Sequence, residues 1–378
     1  AAAPARGAGP ELGGSGEVLV QRFDARRQDG APSALAPTGD LLRVALELND
    51  SLAARLALHS EVEWEHAGVS DEAVAHVSPT SGDGEAELSG EATVEYAYVD
   101  WRPRCGPGVR AGQLLVPVGL VNEHHEPDEF LGARRPDVEL RVIPTTWSAL
   151  GAGVFGAWRA VEYRAYLLEG LDAARFTAAD GIQDGRQGSA QAALVHPALA
   201  VRLDWRAAPG LGLGGSGYGG YAWQGTRAAA EPLHARTTLA EGHATLAARG
   251  LVAHALYAMG TIADHAALSR ALGVAGTPEA IGRRFFGGYV EAAFDLAPRL
   301  WPGTRAALAP YARYEESDTQ DGVGAAGTED PAHHATTFTA GVSFAPAPGA
   351  VVKLDRQERR NETATATSQW NLALGWEF

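Results

Sequence analysis

The last stretch of this chain constrains its fold more than any other. Trp370, Leu372, Leu374, Trp376 and Phe378 alternate with Gln369, Asn371, Ala373, Gly375 and Glu377. Side chains of an extended strand point to opposite faces in turn, so a period of two gathers the large apolar groups on one face. The same pattern recurs upstream, where Leu42, Val44, Leu46 and Leu48 alternate with Arg43, Glu47 and Asn49. A turn at Asp50 and Ser51 leads into a strand with Leu56, Leu58, Val62 and Trp64 on one face and Arg55, His59, Glu61, Glu63 and Glu65 on the other. A face this charged must meet water, so the apolar face must meet a second layer or lipid.

Further alternating segments fall at 16–24, 86–101, 107–117, 147–158, 160–168, 196–206, 209–223, 233–247, 249–261, 283–297, 304–316, 335–345 and 349–358. With 42–49, 53–66 and 364–378 they predict sixteen strands. Short connections alternate with long ones, as in a transmembrane antiparallel β-barrel with short periplasmic turns and long extracellular loops. An even strand number returns both chain ends to one rim. A propeller would carry blade repeats and bury both faces of each sheet, and no such repeat is found.

Composition agrees with this class. A chain of 378 residues would ordinarily divide into several soluble domains, whereas one closed sheet uses its whole length. The longest uncharged stretch, 207–226, contains eight glycines and a proline and would not sustain a transmembrane helix. Cys105 is the single cysteine, so no intrachain disulfide forms, and the net charge of −15 disfavours nucleic acid as a partner. Residues 1–15 are rich in Ala, Gly and Pro and lack a basic, then apolar, leader pattern. They are expected to be a disordered periplasmic segment left after removal of a signal peptide, preceding a single barrel over 16–378.

The terminal pattern resembles the C-terminal signal of outer-membrane barrels, which implies that Trp376 and Phe378 are read by the barrel assembly machinery. The expected location is the outer membrane of a Gram-negative bacterium, with lipid and lipopolysaccharide as surroundings. Tyr96, Tyr98, Trp101, Trp147, Trp158, Trp205, Trp223, Phe285, Phe286 and Trp301 lie near strand ends and are expected to form interfacial girdles.

The connection 118–146 reads VGLVNEHHEPDEFLGARRPDVELRVIPTT, carries dense charge of both signs, and follows the fifth strand as the third long loop. GQLLVPVGLVNEHHEP and ARRPDVELRVIPTTWSALGAGVFG around it resemble the phosphate-selective porin O and P family, with family-like character also in YLLEGLDAARFTAADGIQDGRQ at 166–187. The resemblance covers roughly residues 100–190. It implies a sixteen-stranded outer-membrane channel, commonly a homotrimer, with the third loop folded into the lumen and pore lysines and arginines in its anion-specific members. Lys353 is the single lysine here, so a lysine cluster for phosphate is not implied.

The expected pore constriction comprises Glu123, His124, His125, Glu126, Asp128, Glu129, Arg134, Arg135 and Arg141. Alternation assigns Arg43, Arg55, Glu61, Glu63, Glu91, Glu95, Arg164, Arg202 and Lys353 to the lumen wall, together with Glu47, Glu65, Glu87, Glu162, Asp204, Arg206, Glu291, Asp355 and Arg359. An acidic loop facing a basic wall would set a transverse field, and the acidic excess predicts weak cation preference for small hydrophilic solutes and ions. A one-residue slip would invert the faces of a strand.

Other constellations are weaker. His124 and His125 with Glu123 and Glu126 are adjacent on an extended chain and point apart, so no metal site is expected there. His333 and His334 near Asp330 read as a solvated loop, and the glycines of 210–215 lack the helix of a nucleotide-binding loop. Asp180, Asp184 and the run at 318–322 lack a calcium-loop glutamate, and no serine sits in a nucleophile elbow. No cofactor, metal or catalytic residue is expected. A short helix is expected within 262–282. The competing readings are a barrel that sleeves a partner protein and an outer-membrane enzyme.

Overall fold

The computed structural model describes residues 9–67, 74–75, 87–88 and 91–378. Sixteen antiparallel strands close into one barrel: β1 (Glu11–Phe23), β2 (Thr38–Ala53), β3 (Leu56–Glu65), β4 (Glu91–Trp101), β5 (Gly108–Leu115), β6 (Ser148–Trp158), β7 (Val161–Glu169), β8 (Pro197–Ala208), β9 (Leu211–Tyr221), β10 (Arg236–Ala248), β11 (Leu251–Ile262), β12 (Arg284–Phe294), β13 (Ala307–Asp321), β14 (His334–Ala347), β15 (Ala350–Asn361) and β16 (Gln369–Glu377). Each strand pairs with its sequence neighbours, and β1 pairs with β16 to close the sheet. Of the expected N-terminal disordered segment, residues 1–8 lie outside the described residues, and β1 begins at Glu11 rather than near residue 16. Of Glu87 only the backbone is described, in a small pairing of Val74–Ala75 with Glu87–Leu88.

Local chemistry explains the short rim. Arg249 and Gly250 both have positive φ, the twist that a two-residue hairpin needs, and Pro348-Gly349 supplies a fixed φ followed by a positive one. The opposite rim carries the long connections. One contains α2 (His265–Leu272), inside the stretch expected to be helical and ended by Gly273 in the left-handed region.

The seam between β1 and β16 depends on a glycine. A Cβ on Gly16 would lie 2.2 Å from the Trp376 ring, so the indole lies over bare backbone there. Phe378 continues the pairing, its N–H donating to Gly14 O at 2.9 Å and its carbonyl accepting from Gly14 N at 3.2 Å.

Outward faces are apolar and uncovered: Leu199 is 52 % exposed, Met259 49 % and Leu372 45 %, values that fit lipid contact and not a buried core. Among the described residues no helix is long and apolar enough to cross a membrane. Trp101, Trp158, Trp205 and Trp301 are exposed near the short-turn rim, as a girdle requires.

Several face assignments change. Phe285, Trp147 and Trp223 are buried, and Tyr96 and Tyr98 pair with the inward Glu61 and His59, so these five are not girdle residues. A bulge between Glu17 and Val18 pairs them with Arg43 and Leu41 and leaves Leu42 extra, which turns it inward against Leu19 and Ala133. A second bulge pairs Glu61 with Tyr96 and Val62 with Val94 and leaves Glu95 extra, so Tyr96 turns inward while Glu95 stays on the lumen side that alternation assigns it. Arg55 is exposed in the turn after β2 and does not line the wall.

The interior is not uniformly polar. Leu114, Tyr166, Leu168, Tyr218, Leu239, Leu256 and Phe285 of the wall join Val118, Val138, Ile143, Leu171, Phe176 and Ile182 of inward loops in one apolar cluster. The loops thus pack against one side of the lumen, and charges dominate the other.

Candidate functional site

Between Val116 and Trp147 the chain enters the barrel. Asn122 ties the two ends of this loop together: its Nδ2 donates to Val116 O (2.7 Å) and Trp147 O (2.9 Å), and its Oδ1 accepts from Trp147 N (2.6 Å). The loop contains the single-turn helix α1 (Val138–Arg141). Fully buried Glu139 is its knot, accepting from Leu120 N and Val121 N at 2.8 Å each and from the Tyr289 hydroxyl of β12 at 2.6 Å. Wall glycines make room for it: a Cβ on Gly287 would strike Val142, and one on Gly375 would strike Pro127.

An irregular segment has backbone groups without ladder partners, and here the wall supplies them. Arg202 of β8 donates to Gly119 O. Arg313 of β13 donates to Arg134 O and Arg135 O, and Lys353 of β15 donates to Pro127 O and Phe130 O while lying over the Phe130 ring. In the other direction Asp355 accepts from Ala133 N at 2.7 Å and Glu315 from Val138 N at 3.3 Å. Lys353 and Arg202, assigned from sequence as wall charges, therefore clamp the loop.

The acidic residues expected in the constriction divide into two groups. Glu123 is paired with Arg164 at 3.3 Å, Arg164 also reaches Asp204 at 3.1 Å, and Glu126 sits with Glu47 and Glu61. Asp128 and Glu129 are exposed and lie beside Glu377, at the short-turn end of β16. His124 is exposed, whereas His125 is buried with its Nε2 3.5 Å from Glu61 Oε1. Burial disfavours the His125 cation, but Glu61 and Glu126 outweigh it and raise its pKa.

Arg134 and Arg135 lie on the other face of the loop. Arg134 reaches Gln357 at 3.4 Å, and Arg135 donates to Thr146 Oγ1 at 3.3 Å and His125 O at 3.4 Å. Asp137 lies between Arg134 and Arg359, each 3.9 Å away. Burial pushes its carboxyl toward the neutral form, but Arg359, Arg134, Arg141 and Arg313 prevail and hold it below the usual carboxylate range. For Arg141 burial, and after it Arg359, lowers the pKa.

On this side lies a cavity of about 920 Å³. The loops contribute Arg134, Arg135, Arg175 and Arg186 to its lining, and the wall contributes Asp40, Glu65, Glu91 and Glu95. Arg43 also reaches it, already paired with Glu17 at 3.1 Å and Glu63 at 3.6 Å. At the cavity, where Asp184 is the one acidic side chain the loops add, the expected polarity is reversed, whereas Glu123 against Arg164 keeps the expected acidic loop on a basic wall residue. Basic loops face an acidic wall at the cavity, and the free loop acids lie toward the short-turn rim.

Sequence reasoning missed Arg313, Arg175 and Arg186 as site residues and counted Glu139 only as one more acid of the loop. Alternation in β13 puts Arg313 on one face with Tyr311 and Glu315, a signal present in the sequence. Arg175 and Arg186 belong to a second inward loop over 170–196, where Arg186 donates to Thr146 O at 2.7 Å and the Thr319 hydroxyl of β13 donates to Ala178 O at 2.6 Å. Family-like character marked that segment, but nothing local points it inward.

No protein-family model matches the chain. A protein of Aquifex aeolicus (strain VF5), described only as uncharacterized, is 28 % identical over 376 residues, covering 98 % of this chain and 80 % of that protein. The trimer form of in-vitro folded OmpT, an outer membrane protein of Vibrio cholerae, superposes with a TM-score of 0.55 at 10 % identity over 98 % of this chain and 99 % of that one. The outer membrane channel DcaP of Acinetobacter baumannii gives 0.55 at 10 % identity over 100 % of both chains. These likenesses establish the barrel class and not the phosphate-selective subdivision: the chain has the closed sixteen-stranded antiparallel barrel fold found in outer-membrane porins and channels.

Proposed function

We propose that this protein is an outer-membrane channel for passive diffusion of small hydrophilic solutes and ions, with residues 118–146 as its constriction. One observation carries the reading: a charged loop is held inside a closed barrel by wall side chains, with a charged cavity beside it. Such an arrangement narrows a lumen while leaving it wet, which is what a size-limiting and charge-selective pore needs. A sleeve for a partner chain would need an unfilled lumen, and here the protein's own loops form an apolar cluster within it. Phosphate selectivity is not part of the proposal, since the one lysine is committed to loop carbonyls.

The functional unit we propose is a homotrimer. The OmpT neighbour has a trimer form, and small residues Gly217, Gly219, Ala240 and Gly242 gather on the outward faces of β9 and β10, where another barrel can approach closely. Purified protein in planar bilayers should give stepwise, ohmic conductance. Repeated insertion without conductance would sink the channel reading, and a monomer by native mass measurement in mild detergent would remove the trimer alone.

A further inference from the structure

The geometry points to a divalent transition-metal site where the inward loop meets β3: Glu61, Glu63 and His125 hold one zinc-class ion that fastens the loop to the wall. Their ligand atoms lie within 4.8 Å of one another, and a second triad of Glu47, Glu61 and Glu126 shares Glu61. The residues are 2 %, 0 % and 4 % exposed, respectively.

Two independent features ask for a cation here. The first is Glu63, neither of whose carboxylate oxygens has a hydrogen-bond partner among the described residues, as is also true of Glu61 Oε1. The nearest positive group to Glu63 is Arg43 Nη1 at 3.6 Å, beyond hydrogen-bonding range, and Arg43 Nε and Nη2 are engaged by Glu17. Arg43 is one positive charge shared between Glu17 and Glu63, while Glu61 and the bulge residue Glu95 add further buried carboxylates, so the acids here outnumber it.

The second feature is the tautomer of His125. Its Nδ1 lies 3.2 Å from Asn122 O, and a carbonyl only accepts, so Nδ1 carries the proton. That is the usual way a metal-binding histidine is oriented by its surroundings. Nε2 then faces Glu61 Oε1 at 3.5 Å, a separation that either a proton on the imidazole or a metal ion between the two atoms accounts for. An ion with bonds of about 2.1 Å at a tetrahedral angle separates two ligand atoms by roughly 3.4 Å. One imidazole and two carboxylates suit zinc or its first-row neighbours, whereas calcium prefers six or more oxygens. The competing occupant is a proton on Nε2, giving a simple ion pair.

The test uses the full folded chain in detergent, stripped with a chelator and dialysed against zinc or cobalt chloride. One ion per chain should be retained, with visible cobalt d–d bands. The isosteric double variant E61Q/E63Q should lose more than the roughly 10- to 100-fold in affinity that disruption of a supporting hydrogen bond costs a metal site. H125N should do the same, while H124N, altering an exposed neighbour, should bind as wild type. Heat-modifiability checks that each variant folds, and H125N alone suffices if the double variant does not. No stoichiometric ion in the wild type, binding unchanged in H125N, or preference for calcium over zinc would overturn the proposal. Metal content is read without conductance, so its failure leaves the channel reading in place.

Discussion

Replacing Glu139 with Ala should release the constriction loop while leaving the barrel intact. The carboxylate satisfies three donors at once: Leu120 N–H, Val121 N–H and the Tyr289 hydroxyl. A buried donor stripped of its acceptor costs about 1–3 kcal/mol, so three would cost about 3–9 kcal/mol if they were independent. Water from the lumen can reach part of the vacated space and Tyr289 can rotate, which favours the low end, about 3 kcal/mol. At 1.4 kcal/mol per factor of ten, the open population of the loop rises roughly 100-fold. Hydrogen exchange reads this directly. Protection of the Leu120 and Val121 amides should fall by about that factor, with the amides of β13 to β16 unchanged. E139Q keeps an oxygen for the two N–H groups and an NH₂ that can donate to the Tyr289 oxygen, so it should retain most of the protection. Protection in E139A equal to wild type, or lost across the whole barrel, would refute the reasoning.

Charge at the cavity gives a second test. R134A/R135A should move the reversal potential in a salt gradient toward cations, and D128N/E129Q should move it toward anions. E123Q should have a smaller effect than either, because Arg164 already neutralises Glu123, so a larger effect would show that this pair does not form. At the seam, G16V places side-chain atoms where the Trp376 ring lies, and deletion of Phe378 removes the pairing with Gly14; each should lower the yield of heat-modifiable barrel in membranes, and normal assembly of both would remove the roles given to Trp376 and Phe378. His66 follows β3 at the cavity rim and is bound to Asp40 at 2.7 Å, and this contact raises its pKa above the ordinary imidazole value. Its positive charge therefore persists below and somewhat beyond pH 6.5 and is lost as pH rises through the raised pKa. Reversal potentials should drift toward cation preference over that window, and H66Q should flatten the drift.

The sequence by itself determined the sixteen strands, their antiparallel order and the outward apolar face, because alternation is a local property that survives without any knowledge of partners. Val62 and Trp64 on β3, or Leu372 and Leu374 on β16, declare a face within a few residues. It also marked 118–146 as an unusual connection. Tertiary structure decided which inward charges remain free. Lys353 meets Phe130 from 223 positions away, Glu139 meets Tyr289 across 150, and Arg313 reaches Arg134 across 179, and no local pattern encodes such pairings. Bulges settled the inward faces of Leu42 and Tyr96, since one extra residue reverses the direction that alternation assigns. The apolar side of the lumen was hidden for the same reason. An inward Tyr166 or Phe285 reads like any other strand residue, and only the loops folded against it make an apolar side chain favourable inside a wet barrel.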